Sequence, residues 1–81
     1  MVKVTRLSAS AAVAANGTAN VVFDLSSLSG KTIIGKCIDK AAATDSINYI
    51  TLMMFYSEDS VRVASSKAQT ITVYALFFYK G

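Results

Sequence analysis

The sequence predicts an all-β protein, a small antiparallel β-sandwich of about seven strands that is jelly-roll-like. Three observations support this prediction. Apolar residues alternate with period two in several segments, β-branched and aromatic residues are concentrated there, and turn-forming residues separate the segments at short intervals. A chain of 81 residues is long enough for one domain, which we place at residues 1–81.

The candidate strands follow one another with short polar connections between them. In the last segment, for example, Ile71 and Val73 alternate with Thr72 and Tyr74, which is the two-residue period of a strand. We expect strands at residues 2–7, 8–15, 18–25, 31–38, 47–56, 60–64 and 69–79. We expect connections at residues 26–30, 41–46, 57–60 and 65–68.

The segment 8–15 has two interpretations. Its alanines, with Ser8 as an N-cap and Gly17 near the C-cap, are compatible with a short helix. Its period-two stripe from Leu7 to Ala15 instead favours a strand, and a helix of this length is marginal without strong packing. We prefer the strand and keep the helix as the alternative.

The pair Asn16-Gly17 lies between two candidate strands. Asn-Gly is the preferred pair for a two-residue β-hairpin turn in which both residues have positive φ. The sequence therefore predicts a tight turn of that type at this point.

Two segments, 47–56 and 69–79, are apolar on both faces. An antiparallel strand with one wet face should alternate cleanly, so we expect both faces of these strands to be covered. One face belongs to the core, although the sequence does not fix which, and the other is covered by a second subunit or by a loop. The hydrophobic content of 53% favours self-association. The candidate interface residues are Tyr49, Met53, Phe55, Tyr74 and Phe78.

The sequence lacks the combinations of residues that common catalytic sites require. There is no histidine, so the usual general base, metal ligand and triad partner are all lacking. The single cysteine, Cys37, is interpreted as a small buried hydrophobe. Glu58 and Asp59 are neighbours in a turn, where alternate side chains point apart, so they form no carboxylate pair across a cleft. We therefore expect no enzymatic activity, no cofactor and no metal site.

The charge and hydropathy patterns exclude two further classes of partner. The eight basic residues are dispersed along the chain, whereas a nucleic-acid-binding surface clusters them. No apolar run reaches the ~20 residues of a membrane-spanning helix. The start at Met1 has no signal-peptide pattern, so we expect synthesis in the cytoplasm.

Three stretches carry a family resemblance: AANGTANVVFDLS at residues 14–26, GKTIIG at 30–35 and QTITVYALFFY at 69–79. In this order of strands and turns the chain resembles the small β-sandwich domains at the tips of tailed-bacteriophage fibres and on other phage virion proteins. Such domains typically end in a Thr/Val/aromatic strand. The resemblance implies a homotrimer located in the virion that binds host-surface glycans or other virion proteins.

The resemblance implies a non-enzymatic tail-fibre tip or receptor-binding domain. Because no shaft is attached to the chain, a capsid or tail decoration protein is the first alternative. A small inhibitor that binds a bacterial host protein is the second. A glycan site should have exposed aromatic rings and paired polar groups in a groove, whereas a decoration protein should have a flat apolar base.

Overall fold

A computed structural model describes all 81 residues, and it contains six strands, two short 3-10 helices and no α-helix. The all-β prediction is therefore confirmed. The strands are β1 (Lys3–Val13), β2 (Gly17–Val22), β3 (Thr32–Ala43), β4 (Ile50–Ser57), β5 (Ser60–Ser65) and β6 (Gln69–Lys80). The 3-10 helices are Ser26–Leu28 and Ile47–Tyr49.

The strands form two three-stranded antiparallel sheets. Sheet A has the order β1-β6-β3 and sheet B has the order β2-β5-β4. Only β4 and β5 are joined within one sheet, because every other connection crosses from one sheet to the other. This arrangement is compatible with a small β-sandwich, in which β6 and β5 are the central strands.

The core receives one row of side chains from each sheet. Along β6 the inward-pointing residues from Ile71 to Phe77 are fully buried, and the ring of Phe77 meets that of Phe23 edge to face at 5.6 Å between centroids. Residues from both sheets thus bury one another's apolar faces. The core cluster consists of Val13, Val21, Phe23, Leu28, Val61, Val63, Ile71, Val73, Ala75 and Phe77.

The first two predicted strands are one continuous strand. Residues 8–13 are extended, so the strand interpretation of this segment is confirmed there and the helix alternative is wrong. The predicted break after residue 7 is wrong, because Leu7 and Ser8 pair with Ala75 and Tyr74 of β6 without interruption. Nothing in the Ser/Ala pattern prevents the ladder from continuing.

Other boundaries also differ from the prediction. The strand expected at 8–15 ends at Val13, and the strand expected at 18–25 ends at Val22. The strand expected at 31–38 continues to Ala43, since residues 41–43 keep pairing with β6. The strand expected to begin at residue 47 begins at Ile50. A 3-10 turn precedes it, in which the Ser46 hydroxyl accepts a hydrogen bond from the backbone N–H of Asn48 at 3.1 Å. That local bond competes with strand pairing.

The turn at Asn16-Gly17 lies where it was predicted but has a different geometry. Gly17 N–H donates to the Ala14 carbonyl at 2.9 Å, and of these residues only Asn16 has a positive φ, of 56°. The two-residue hairpin with positive φ at both residues is therefore wrong. Because β1 and β2 belong to different sheets, this turn leads the chain from one sheet to the other.

Candidate functional site

The surface has a single concavity, so the other candidate sites are the outer faces of the two sheets. That concavity has a volume of about 270 Å³ and is lined by Ile33, Ile34, Gly35, Lys36 and Glu58. The Lys36 ammonium donates to the backbone carbonyl of Ser57 at 3.1 Å. No group of three His, Cys, Asp or Glu side chains is close enough together to hold a metal ion.

The outer face of sheet B is open and mostly apolar. Strand alternation produces it: Val61 and Val63 point into the core, so Arg62 and Ala64 point outward, as do their partners on β2 and β4. Four large apolar side chains remain exposed there, with exposed fractions from 36% for Leu52 to 57% for Tyr56. The face comprises Thr18, Asn20, Val22, Leu52, Met54, Tyr56, Arg62 and Ala64.

Arg62 lies at the centre of this face. Its Nε donates to the Asn20 side-chain oxygen at 3.2 Å, and its guanidinium carbon lies 3.7 Å from the centre of the Tyr56 ring. These contacts hold the guanidinium between the side chains of the two neighbouring strands. The only ion pair of the chain is elsewhere, so Arg62 has no carboxylate partner.

The outer face of sheet A is organised around Tyr74 of the central strand. The Arg6 guanidinium from β1 lies 4.6 Å from the centre of the Tyr74 ring, and the Lys40 ammonium from β3 lies 4.9 Å from it. Arg6 also forms an ion pair with Asp39 through Nε and Oδ2 at 3.1 Å. Ser10 and Thr72 share a hydroxyl hydrogen bond of 2.7 Å. The side chains of these residues thus contact one another across all three strands of sheet A, through the ion pair, the hydroxyl hydrogen bond and the Tyr74 ring.

The five candidate interface residues do not share one surface. Met53 and Phe55 pack against the core from the inner side of β4. Tyr74 and Phe78 lie in the outer row of β6, where both are partly buried. Tyr49 is in the 3-10 turn before β4, with the Lys67 ammonium 4.6 Å from its ring centre. Their role at an interface stays a prediction.

Sequence reasoning missed the residues of the open face and misplaced one other residue. Leu52 and Met54 belong to the apolar segment 47–56, but their face follows only from their pairing with Ala64 and Arg62 of β5. Cys37, expected to be buried, is exposed. It pairs with Leu76 in the outer row of β6, which places its thiol on the outer face of sheet A.

No family model, curated protein or solved structure matches this chain. Neither of its two short helices is long and apolar enough to cross a membrane. The geometry of the chain's own surfaces is therefore the basis for inferring its function.

Proposed function

We propose that this chain is a non-enzymatic structural protein of a bacteriophage virion, and that it docks on a larger virion protein in the manner of a decoration protein. The observation that carries the proposal is the open outer face of sheet B. Val22, Leu52, Met54 and Tyr56 lie on this face with at least 36% of each residue exposed, and they cover no other part of the chain. Contiguous exposed apolar surface marks protein interaction sites.

The aromatic side chains favour docking over glycan binding. A sugar-binding site needs a free ring face beside polar groups that are free to pair with hydroxyls. Cations from both neighbouring strands lie against Tyr74, and the Arg62 guanidinium lies on Tyr56. The polar groups beside Tyr74 are also engaged with one another. A receptor-binding fibre tip is therefore the weaker of the two virion functions.

The strand pairing supports a jelly-roll-like fold of the kind that virion proteins use. Strand β1 pairs with β6 and β2 pairs with β5. The first strand thus pairs with the last, and the second strand pairs with the last but one. The connections cross from one sheet to the other, as they do in a jelly roll, where paired antiparallel strands fold over into two sheets. The aromatic closing segment of the resemblance is the central strand β6.

The partner surface should combine apolar area with negative charge. Arg62 is the only charged residue on the open face and has no carboxylate partner within the chain. The protein also carries a net charge of +3. An acidic side chain of the partner would reach the guanidinium at its exposed nitrogens, and such a charge-assisted bond orients the docked protein.

Two variants with matched exposure test the proposal. Met54 on the open face is 54% exposed and Ile34 on the edge strand β3 of sheet A is 49% exposed. We expect wild type and Ile34→Asp to co-sediment with gradient-purified phage particles from the strain that carries the gene, and Met54→Asp to stay unbound. Mass spectrometry of the banded particles gives the amount bound.

Each contrary outcome has a distinct meaning. Absence of the wild-type protein from the particles would refute the virion proposal, and recovery with a host protein instead would favour the inhibitor alternative. Equal binding of Met54→Asp and wild type would show that docking uses another surface.

A further inference from the structure

Four strands form the edges of the two sheets, and they differ in regularity. Strands β3 and β4 each contain two shifts of register against their neighbours, at residues such as Ile33/Gly35 and Ile50/Leu52. Such bulges protect an edge from pairing with another chain. Strand β1 pairs with β6 over all of its 11 residues without a shift. It is the longest regular edge of the molecule, since β2 has only 6 residues.

The side chains of β1 do little to protect this edge. Its two charged residues, Lys3 and Arg6, lie in the N-terminal half, and the part from Leu7 to Val13 has neither a charge nor a proline. Ala9 and Ala11 point toward the core but remain half-buried, because a methyl group is too short to close the edge. A further strand beside β1 would cover them.

We propose that β1 pairs antiparallel with β1 of a second copy of this chain, about a two-fold axis at Ser8. Ser8 is the midpoint of the strand, so this register pairs every residue from Lys3 to Val13. The two sheets A become one six-stranded sheet with the order β3-β6-β1-β1-β6-β3. The pairing is a property of the chain alone and does not depend on the virion.

Charge and side-chain parity select this arrangement. A parallel pairing in register would set Arg6 beside Arg6 of the other copy, and like charges directly opposite are destabilising. The antiparallel pairing sets Arg6 opposite Ser10 and Leu7 opposite Ala9. It also places the core-facing side chains of one copy beside the core-facing side chains of the other. A shift by one residue would move the core-facing side chains to the outside.

The pairing closes with two copies. A two-fold contact is made by the same surface of both subunits, so the β1 edge of each copy is paired and cannot bind a third copy. The β3 edges at the ends of the joined sheet are bulged and carry Lys36 and Lys40, which opposes further addition. The expected species is a dimer, whereas the family resemblance implies a trimer.

Disulfide trapping tests the register. In a Cys37→Ser background, Ser8→Cys places the two thiols opposite each other across the axis, where directly paired Cβ atoms are ~5 Å apart and within reach of a disulfide after small adjustment. The matched control is Ser10→Cys, an exposed serine on the same face. Its thiols would be four residues out of register, or ~13 Å apart.

We expect mild oxidation to crosslink Ser8→Cys at least about tenfold faster than Ser10→Cys, because only the first pair meets disulfide geometry. We also expect sedimentation equilibrium of the wild type to fit a monomer–dimer equilibrium. Equal crosslinking of the two variants would overturn the register. A monomer at every concentration, or a trimer, would overturn the pairing even if the protein is found in virions.

Discussion

Strands β6 and β4 have the same kind of sequence and different surroundings. Both are apolar on both faces, but β6 is the centre of sheet A and β4 is an edge of sheet B. The inner row of β6 is fully buried from Ile71 to Phe77, whereas Met53 and Phe55 in the inner row of β4 are half-buried. The outer row of β6 is partly covered, whereas Met54 and Tyr56 of β4 are more than half exposed.

The difference comes from the number of neighbouring strands. β6 has a strand on each side, and long side chains from both of them lie over its outer row: Arg6 and Lys40 bring their aliphatic stems and charges onto Tyr74. β4 has only β5 beside it, so in its outer row a single cation, Arg62, covers part of one ring. The outer face of a strand that is apolar on both faces is thus covered by neighbouring strands when the strand is central. It remains exposed when the strand is at the edge of the sheet.

The largest expected effect concerns the inner rows of these two strands. Phe77→Ala removes a fully buried ring that contacts Phe23, so we expect a loss of about 3–5 kcal/mol in the free energy of unfolding. Phe55→Ala, at a half-buried edge position where water can fill the space, should cost less than half as much. Urea unfolding monitored by tyrosine fluorescence measures both. Equal losses would contradict the assignment of β6 as the centre and β4 as the edge.

A second prediction concerns the contact that ties the start of β6 to the segment leading into β4. The buried side chain of Gln69 accepts hydrogen bonds from the backbone N–H groups of Asp45 and Ser46, each at 3.0 Å. Its amide nitrogen donates to the Ser46 carbonyl and the Ser65 hydroxyl, also at 3.0 Å. Gln69→Ala leaves these groups unpaired, so we expect a loss of about 1–3 kcal/mol in the free energy of unfolding.

The matched control for this contact is Gln69→Glu. A glutamate of the same shape still accepts from the two N–H groups, but its carboxylate no longer donates to the Ser46 carbonyl. We therefore expect stability below that of wild type at neutral pH. Hydrogen exchange should also quicken at residues 44–49 in Gln69→Ala. Unchanged exchange there would show that the segment is held by other contacts.

The sequence predicted the strand content of the molecule because alternation and residue type are local signals. It located β5 and β6 to within a residue of their observed ends, since turns of Ser, Glu, Asp and Lys separate them from their neighbours. The break after residue 7 was wrong because small residues such as Ser8 and Ala9 are equally compatible with a turn and with a ladder, and only the β6 partner decides.

The candidate site was less predictable for a physical reason. Which face of Leu52 and Met54 is buried depends on the register between β4 and β5, and that register contains two shifts. The shifts lie near the two ends of the strand, so alternation holds from Leu52 to Tyr56, but both faces are apolar and residue type does not show which one meets the core. The exposure of Cys37 could not be predicted for a different reason, because β3 shifts its register near Gly35 and Ile38, on either side of this residue.

The smallest expected effect concerns the connection between β2 and β3, which closes one end of the core with Phe23 and Leu28; the outer row of β4 has no such cover. In this connection the exposed carboxylate of Asp24 accepts a hydrogen bond from the Ser26 backbone N–H at 2.9 Å. That bond, with a further contribution from the Ser26 side chain, holds the pKa of Asp24 below its ordinary value of 3.8.

The sign of the pH effect follows from this lowered pKa. A carboxyl group whose pKa is lower in the folded state contributes stability above its unfolded value near 3.8, and the contribution is lost as the pH falls through the folded value. Wild type should therefore have a slightly higher Tm than Asp24→Asn at about pH 6, and the gap should close toward about pH 2. Comparing the two proteins at each pH cancels the titration of the other carboxylates. A difference in Tm that stays constant with pH would mean that the charge of Asp24 does not stabilise the connection. The shape of the side chain alone would then do so.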